Sequence, residues 1–197
     1  TVESDWSSAS YWYSIVGLSE IDFQVALSSY KENSLQGDSA LVNIYEDFGV
    51  GTTFNSDNSI TISKLNTLNQ TPLTLNLKDS PDIAQTIAVT CLGLGIGCYL
   101  TGLHTLKIKE TDRLEALKVE LTKLGARVSV TDDSLTLENS KEIHQNIAID
   151  TYQDHRMAMA FAPLALKVPL VINEAEVVSK SYPDFWNDME LVGFEIS

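Results

Sequence analysis

The chain repeats itself at a spacing of roughly seventy residues, and nothing else in the sequence restricts its fold as tightly. The first unit reads as strand 1–4, helix 7–19, strand 23–27 and helix 39–48, then strands 52–55 and 59–64 split by the turn residues Ser56, Asp57 and Asn58. The second reads as strand 73–77, helix 82–94, strand 98–103 and helix 113–124, then strands 127–130 and 134–138 around Thr131, Asp132 and Asp133. A shorter third unit offers strand 146–149, helix 155–166, strand 170–173 and helix 185–192. The unit is therefore β-α-β-α-β-β, with repeats at about 1–66, 67–140 and 141–197. In the second helix of each unit an Asp caps the start and a Gly follows the end: Asp38 with Gly49, Asp112 with Gly125, Asp184 with Gly193. Strands alternating with helices predict an α/β domain whose sheets are covered by helices. Residues 66–72 read as a polar connection between repeats rather than a domain boundary.

The helix starts carry an electrostatic anomaly. In Lys109-Glu110-Thr111-Asp112-Arg113, Asp112 reads as the N-cap and Glu115 as its capping-box partner, with Leu114, Leu117, Leu121 and Leu124 following at helical spacing. Arg113 is then the first helical residue, where the positive end of the macrodipole disfavours a cation unless an anion is near. Asp154-His155-Arg156 repeats the arrangement ahead of an apolar run, and two such ends suggest a phosphate or carboxylate site. The net charge of −14 argues against a nucleic-acid surface and makes the cations more informative. An acidic protein that binds an anion must gather positive charge locally; Lys107, Lys109, Arg113, Arg156 and Lys180 are five of only 13 Lys and Arg residues. The bland alternative is a set of solvated helix starts and scattered surface charges.

Other readings are quieter. With 197 residues, 44% of them hydrophobic, the chain can bury a sizeable core. It has no apolar run of membrane-spanning length and no secretory leader, so neither membrane nor export is supported and a cytoplasmic location is expected. Cys91 and Cys98 fit no common zinc spacing and read as buried thiols. The aromatic cluster Trp6, Tyr11, Trp12 and Tyr13 reads as core. Ser80-Pro81-Asp82 reads by itself as a cap, a proline at the first helical position and a dipole-favoured acid. Glu110, wedged between Lys109 and Arg113, is a carboxylate whose ionisation its neighbours can tune, although those cations favour the ionised form.

Lys-Glu-Thr-Asp-Arg-Leu at 109–114, Asp-His-Arg-Met-Ala-Met at 154–159 and Lys-Ser-Tyr-Pro-Asp-Phe at 180–185 stand in an order and spacing that resemble one family. This is the 5-enolpyruvylshikimate-3-phosphate synthases, or 3-phosphoshikimate 1-carboxyvinyltransferases. Asp-Trp-Ser-Ser-Ala-Ser at 5–10 and Pro-Asp-Ile-Ala at 81–84 belong to the same resemblance. It covers essentially the whole chain but only the C-terminal half of the family's usual sequence. It implies a single domain over 1–197, the C-terminal domain of a two-domain enolpyruvyl transferase, folded as an inside-out α/β barrel with helices packed centrally and sheets outside.

The resemblance further implies transfer of the enolpyruvyl group of phosphoenolpyruvate to the 5-hydroxyl of shikimate 3-phosphate with release of phosphate, a shikimate-pathway step needing no metal or other cofactor. Asp82 then corresponds to the proton acceptor near the attacking hydroxyl and Glu110 to the proton donor. Arg113, Arg156 and Lys180 are assigned to phosphoenolpyruvate, Lys109 and Thr105 to the shikimate ligand, and His155 to a positioning role beside Arg156. Many members carry Asn where Thr105 stands. The family's N-terminal half contributes a Lys-Ser phosphate contact, a Gly-rich loop and an arginine, none of which is matched. The chain also starts without Met, so a fragment is expected, lacking most of the shikimate 3-phosphate site and inactive alone. The alternatives are a UDP-N-acetylglucosamine enolpyruvyl transferase relative and a non-catalytic anion-binding or assembly domain.

Overall fold

The computed structural model describes residues 2–66 and 71–197. Thr1, the first residue of the expected strand 1–4, and residues 67–70 of the expected connection 66–72 lie outside the described residues. The helices are α1 (Trp6–Leu18), α2 (Leu41–Glu46), α3 (Ala84–Leu94), α4 (Arg113–Lys123), α5 (His155–Phe161) and α6 (Phe185–Leu191). The strands are β1 (Gln24–Leu27), β2 (Val50–Phe54), β3 (Ile60–Lys64), β4 (Leu73–Asn76), β5 (Cys98–Thr101), β6 (Val128–Val130), β7 (Ser134–Leu137), β8 (Ile147–Ile149) and β9 (Leu170–Ile172). Short 3-10 turns at Gly37–Ala40 and Pro81–Ile83 lead into α2 and α3, and one at Ala162–Leu166 continues α5. Residues 2–5 form no strand. The Ser4 N–H meets the Ser29 carbonyl at 2.7 Å, but one such bond makes no ladder.

Among the described residues the strands form three separate open sheets. β1-β3-β2 is antiparallel throughout. β4-β5-β7-β6 is mixed, its β4–β5 pair parallel and the others antiparallel, and β8–β9 is a parallel pair. The expected inside-out barrel is thereby corrected. A barrel needs a continuous hydrogen-bonded ladder returning to its first strand, whereas these sheets of 3, 4 and 2 strands each end in two free edges. Among the described residues the chain is an α/β fold of antiparallel, mixed and parallel sheets, none of which closes.

The helices fill the space between. Every α1 residue except Ser8 is buried, so this helix is interior on all sides. Its serines are satisfied internally: Ser10 shares a hydrogen bond with Thr86 at 3.0 Å, and Ser14 accepts from Thr90 at 2.8 Å. Trp6, Tyr11, Trp12 and Tyr13 are all buried. α1 packs on α3 and on the turn following α5, and α3 packs on α5. Helix ends follow their local signals, with Gly125 at φ 95° and Gly49 at φ 72° in the left-handed region that favours glycine. Lys64, at the end of β3, is only 5% exposed and donates to the Gly17 and Phe48 carbonyls at 2.8 and 2.7 Å, satisfying backbone acceptors near the ends of α1 and α2. This packing brings the starts of α3, α4 and α5 to one place.

Candidate active site

Asp82 sits in the 3-10 turn before α3, Lys109 and Glu110 ahead of α4, Arg113 at the first position of α4, and Asp154 to Arg156 at the start of α5. Local signals set each start. The Asp112 carboxylate accepts the Glu115 N–H at 3.1 Å and caps α4, while the Glu115 side chain turns to Lys118 at 2.8 Å, leaving the capping box half made. The Asp154 carboxylate accepts the Arg156 N–H at 2.9 Å and caps α5.

Arg113 is the centre of the cluster, its side chain 2% exposed. Its Nε donates to Asp154 Oδ2 at 2.6 Å and its Nη2 to Asp154 Oδ1 at 3.4 Å. Nη2 also donates to Glu110 Oε2 at 2.6 Å and Nη1 to Asp82 Oδ1 at 3.1 Å. The anion that this helix start requires is thus supplied by the chain itself, three carboxylates around one buried guanidinium. Asp154, fully buried, joins α4 to α5 through a single carboxylate. Asp82 is shared by three cations, because Arg156 Nη2 reaches its other oxygen at 3.2 Å and Lys109 Nζ lies 3.3 Å from the first. Side-chain exposure separates a closed floor, Arg113 and Asp154, from a rim where Lys109 is 34% and Glu110 46% exposed. Anion binding and proton transfer at the rim, above a fixed floor, are what this arrangement can do chemically.

The remaining residues singled out in the sequence lie at varied remove. Lys180 donates to the Gln153 carbonyl at 3.1 Å, one residue before Asp154. His155 follows Asp154 and is half-buried. Thr105 lies in the 3-10 turn His104–Ile108, and its Oγ1 is buried without a partner among the described residues. Lys107 turns away to Asp132 at 2.5 Å. Cys91 and Cys98 are buried free thiols. Sequence reasoning missed the Arg113–Asp154 pairing, for which the only signal was an Asp capping a helix that opens on His-Arg. Asp38, read from the sequence as a helix cap, is corrected: it is not the cap of α2 but lies in the turn before it and accepts from the Ser7 hydroxyl. Among the described residues no helix is long and apolar enough to cross a membrane, and no group of three or more His, Cys, Asp or Glu is placed to hold a metal ion.

The charges shift one another's ionisation. Burial alone raises the Asp82 carboxyl, but Arg156, Lys109 and Arg113 outweigh it and hold the group below its ordinary 3.8. Burial likewise opposes ionisation of Glu110, yet its own backbone amide, Arg113, His155 and Arg156 leave it below its ordinary 4.5. His155 is lowered from 6.5, chiefly by burial. For the two carboxylates, stability is fully present above the unfolded values and is lost as pH falls through the folded ones. For His155 the unfolded chain binds the extra proton, so stability also falls as pH drops below 6.5. Asp82→Asn is therefore expected to flatten the acid limb of unfolding free energy against pH, measured by urea unfolding. An unaltered limb would contradict the charge balance assigned to Asp82.

The profile described as EPSP synthase (3-phosphoshikimate 1-carboxyvinyltransferase) matches residues 1–189. A 3-phosphoshikimate 1-carboxyvinyltransferase of Bacteroides fragilis (strain YCH46) is 45% identical over 199 residues, an alignment spanning 100% of this chain and 48% of that protein. One from Sulfurovum sp. (strain NBC37-1) is 36% identical over 193 residues, spanning 97% and 43%. The chain thus spans about half the length of the curated relatives it matches. Among solved structures, EPSP synthase from Acinetobacter baumannii superposes with a TM-score of 0.82 at 22% identity, covering 100% of this chain and 47% of that one. The enolpyruvyl transferase NikO from Streptomyces tendae gives 0.71 at 15% identity, covering 100% and 44%. At these identities the structural likeness speaks for the fold alone.

Proposed function

Because the chain belongs to the EPSP synthase (3-phosphoshikimate 1-carboxyvinyltransferase) family, we propose that it is the C-terminal domain of such an enzyme and carries the phosphoenolpyruvate-facing wall of its site. The observation that carries this reading is Asp82 held among Arg113, Arg156 and Lys109, with Glu110 on the same guanidinium. Arg156 and Lys109, with exposed surface to offer, take the anionic groups of the ligands, and Lys180 joins them from the Gln153 carbonyl. Arg113 fixes Asp82 and Glu110 and holds one Nη1 hydrogen for the ligand.

The chemistry follows from these placements. Asp82, kept ionised by its cations, accepts the proton of the acceptor hydroxyl as that oxygen bonds to the enolpyruvyl carbon. The methylene must gain a proton in the same addition, and Glu110 is the carboxyl on the open rim that can deliver it. Phosphoenolpyruvate brings negative charge beside Glu110, which opposes the neighbouring cations and raises its affinity for a proton. Loss of phosphate, with return of a proton from the new methyl, restores the double bond. Thr105 and Lys109 serve the shikimate side, and His155 positions Arg156. The facing half, absent from this sequence, supplies the rest of the acceptor site, so the chain alone is inactive. This chemistry takes place in the cytoplasm.

Phosphate release from phosphoenolpyruvate by the full-length protein, measured with shikimate 3-phosphate and separately with UDP-N-acetylglucosamine, tests the reading. Turnover with shikimate 3-phosphate alone is expected. Turnover confined to the nucleotide sugar would move the chain to the related transferase, and none with either would leave an anion-binding domain.

A further inference from the structure

We propose that Glu120 is a positioning residue, acting through Tyr152 and Asp150 on the loop that aims Asp154 at Arg113 and the Gln153 carbonyl at Lys180. The inference rests on the function proposed above for its ligand-binding readout only. Glu120 lies seven residues after Arg113 on α4, so the two share a helix face roughly 10 Å apart. It is fully buried, and its carboxylate accepts the Tyr152 hydroxyl at 2.6 Å and the Asp150 backbone N–H at 3.2 Å while pairing with Lys123 at 2.8 Å. Lys123 continues to the Asp150 carboxylate at 2.7 Å, and Asn173 donates to that group's other oxygen at 2.7 Å. A buried carboxylate persists only when its oxygens are saturated. Here every partner lies on α4 itself or in the segment ahead of α5.

That segment needs holding. Tyr152 and Gln153 have φ of 54° and 57°, two consecutive non-glycine residues in the left-handed region, a conformation that persists only where its surroundings impose it. The Asp154 N–H closes the turn on the Thr151 carbonyl at 2.9 Å. The next groups along the chain are the Gln153 carbonyl that receives Lys180 and the Asp154 carboxylate that holds Arg113. α4 is therefore fastened to the start of α5 at two points, Arg113–Asp154 and Glu120–Tyr152, and the second keeps the first aligned. Without it the loop relaxes, fewer molecules hold Asp154 in place, and apparent ligand affinity falls by that fraction.

The test uses Tyr152→Phe in the full-length protein, since it removes one hydroxyl and keeps the ring, with Glu120→Gln as the second variant. Tyr152→Phe is expected to weaken phosphoenolpyruvate binding about tenfold, the scale of one hydrogen bond to a charged group. It should also speed solvent exchange of the Arg113 Nε proton, followed by NMR well below Tm, and Glu120→Gln should move both readouts the same way. Wild-type affinity and Arg113 exchange in Tyr152→Phe would overturn the proposal, as would changes that merely track a lowered Tm. If the wild type binds no phosphoenolpyruvate while Arg113 exchange still responds to Tyr152→Phe, the positioning role stands and the proposed function falls.

Discussion

Asp154→Ala is expected to lower the unfolding free energy by about 3–5 kcal/mol, the cost of leaving a buried charge without its partner. The effect is large because both partners are out of water: Asp154 is fully buried and the Arg113 side chain 2% exposed. Asp82 and Glu110 remain near Arg113, but neither reaches Nε, whose 2.6 Å bond to Asp154 would have no replacement. The substitution also removes the cap of α5. Asp112→Ala, which removes a cap without stranding a buried charge, is the control and should cost only about 1 kcal/mol. Urea unfolding of the two variants at neutral pH decides the matter. Equal losses would mean that Asp154 acts only as a cap and that Arg113 is not organised by it.

What the sequence showed of this fold was the part written in short-range signals. Asp112 and Gly125 bracket α4 as expected, because a cap and a left-handed glycine act within a few residues of themselves. Strand pairs flanking obvious turns, such as β6 and β7 around Asp132, were legible for the same reason. That the sheets stay open was not, and the barrel expected from the family resemblance was wrong, since closure depends on which distant edges bond and no local signal carries that. The expected strand 1–4 did not form over its described residues, because Ser4 makes one backbone bond to Ser29 and no ladder. The burial of Lys64 was not legible either, since it follows from carbonyls 47 and 16 residues away.

The site divides in the same way. Arg113 was visible as an anomaly at a helix start, a local fact, and the need for an anion followed from the macrodipole. That the anion would be Asp154, 41 residues on, depends on how α4 meets α5. Glu120 and Tyr152, 32 residues apart, gave no sign at all, because a Glu inside an amphipathic helix reads as solvated surface.

The cluster around Arg113 is either an ion network that merely holds three helix starts together or, as proposed above, a site whose rim performs proton transfer. Glu110→Gln in the full-length protein separates these. The amide keeps the size of the carboxylate and one acceptor for Arg113 Nη2, now 2.6 Å from Glu110 Oε2, but it cannot deliver a proton to the enolpyruvyl methylene. Loss of a positioned general acid lowers kcat by about 10²–10⁴-fold. Phosphoenolpyruvate affinity should change far less, because Arg156, Lys109 and Lys180 are untouched. Arg156→Ala is expected to show the reverse split, weakening that affinity by roughly tenfold or more with a smaller effect on kcat. The deciding measurement is kcat and phosphoenolpyruvate affinity of Glu110→Gln against wild type, with folding checked. A collapsed kcat at nearly unchanged affinity is the expected result. Near-normal kcat would contradict proton transfer at the rim and reduce Glu110 to an orienting partner of Arg113.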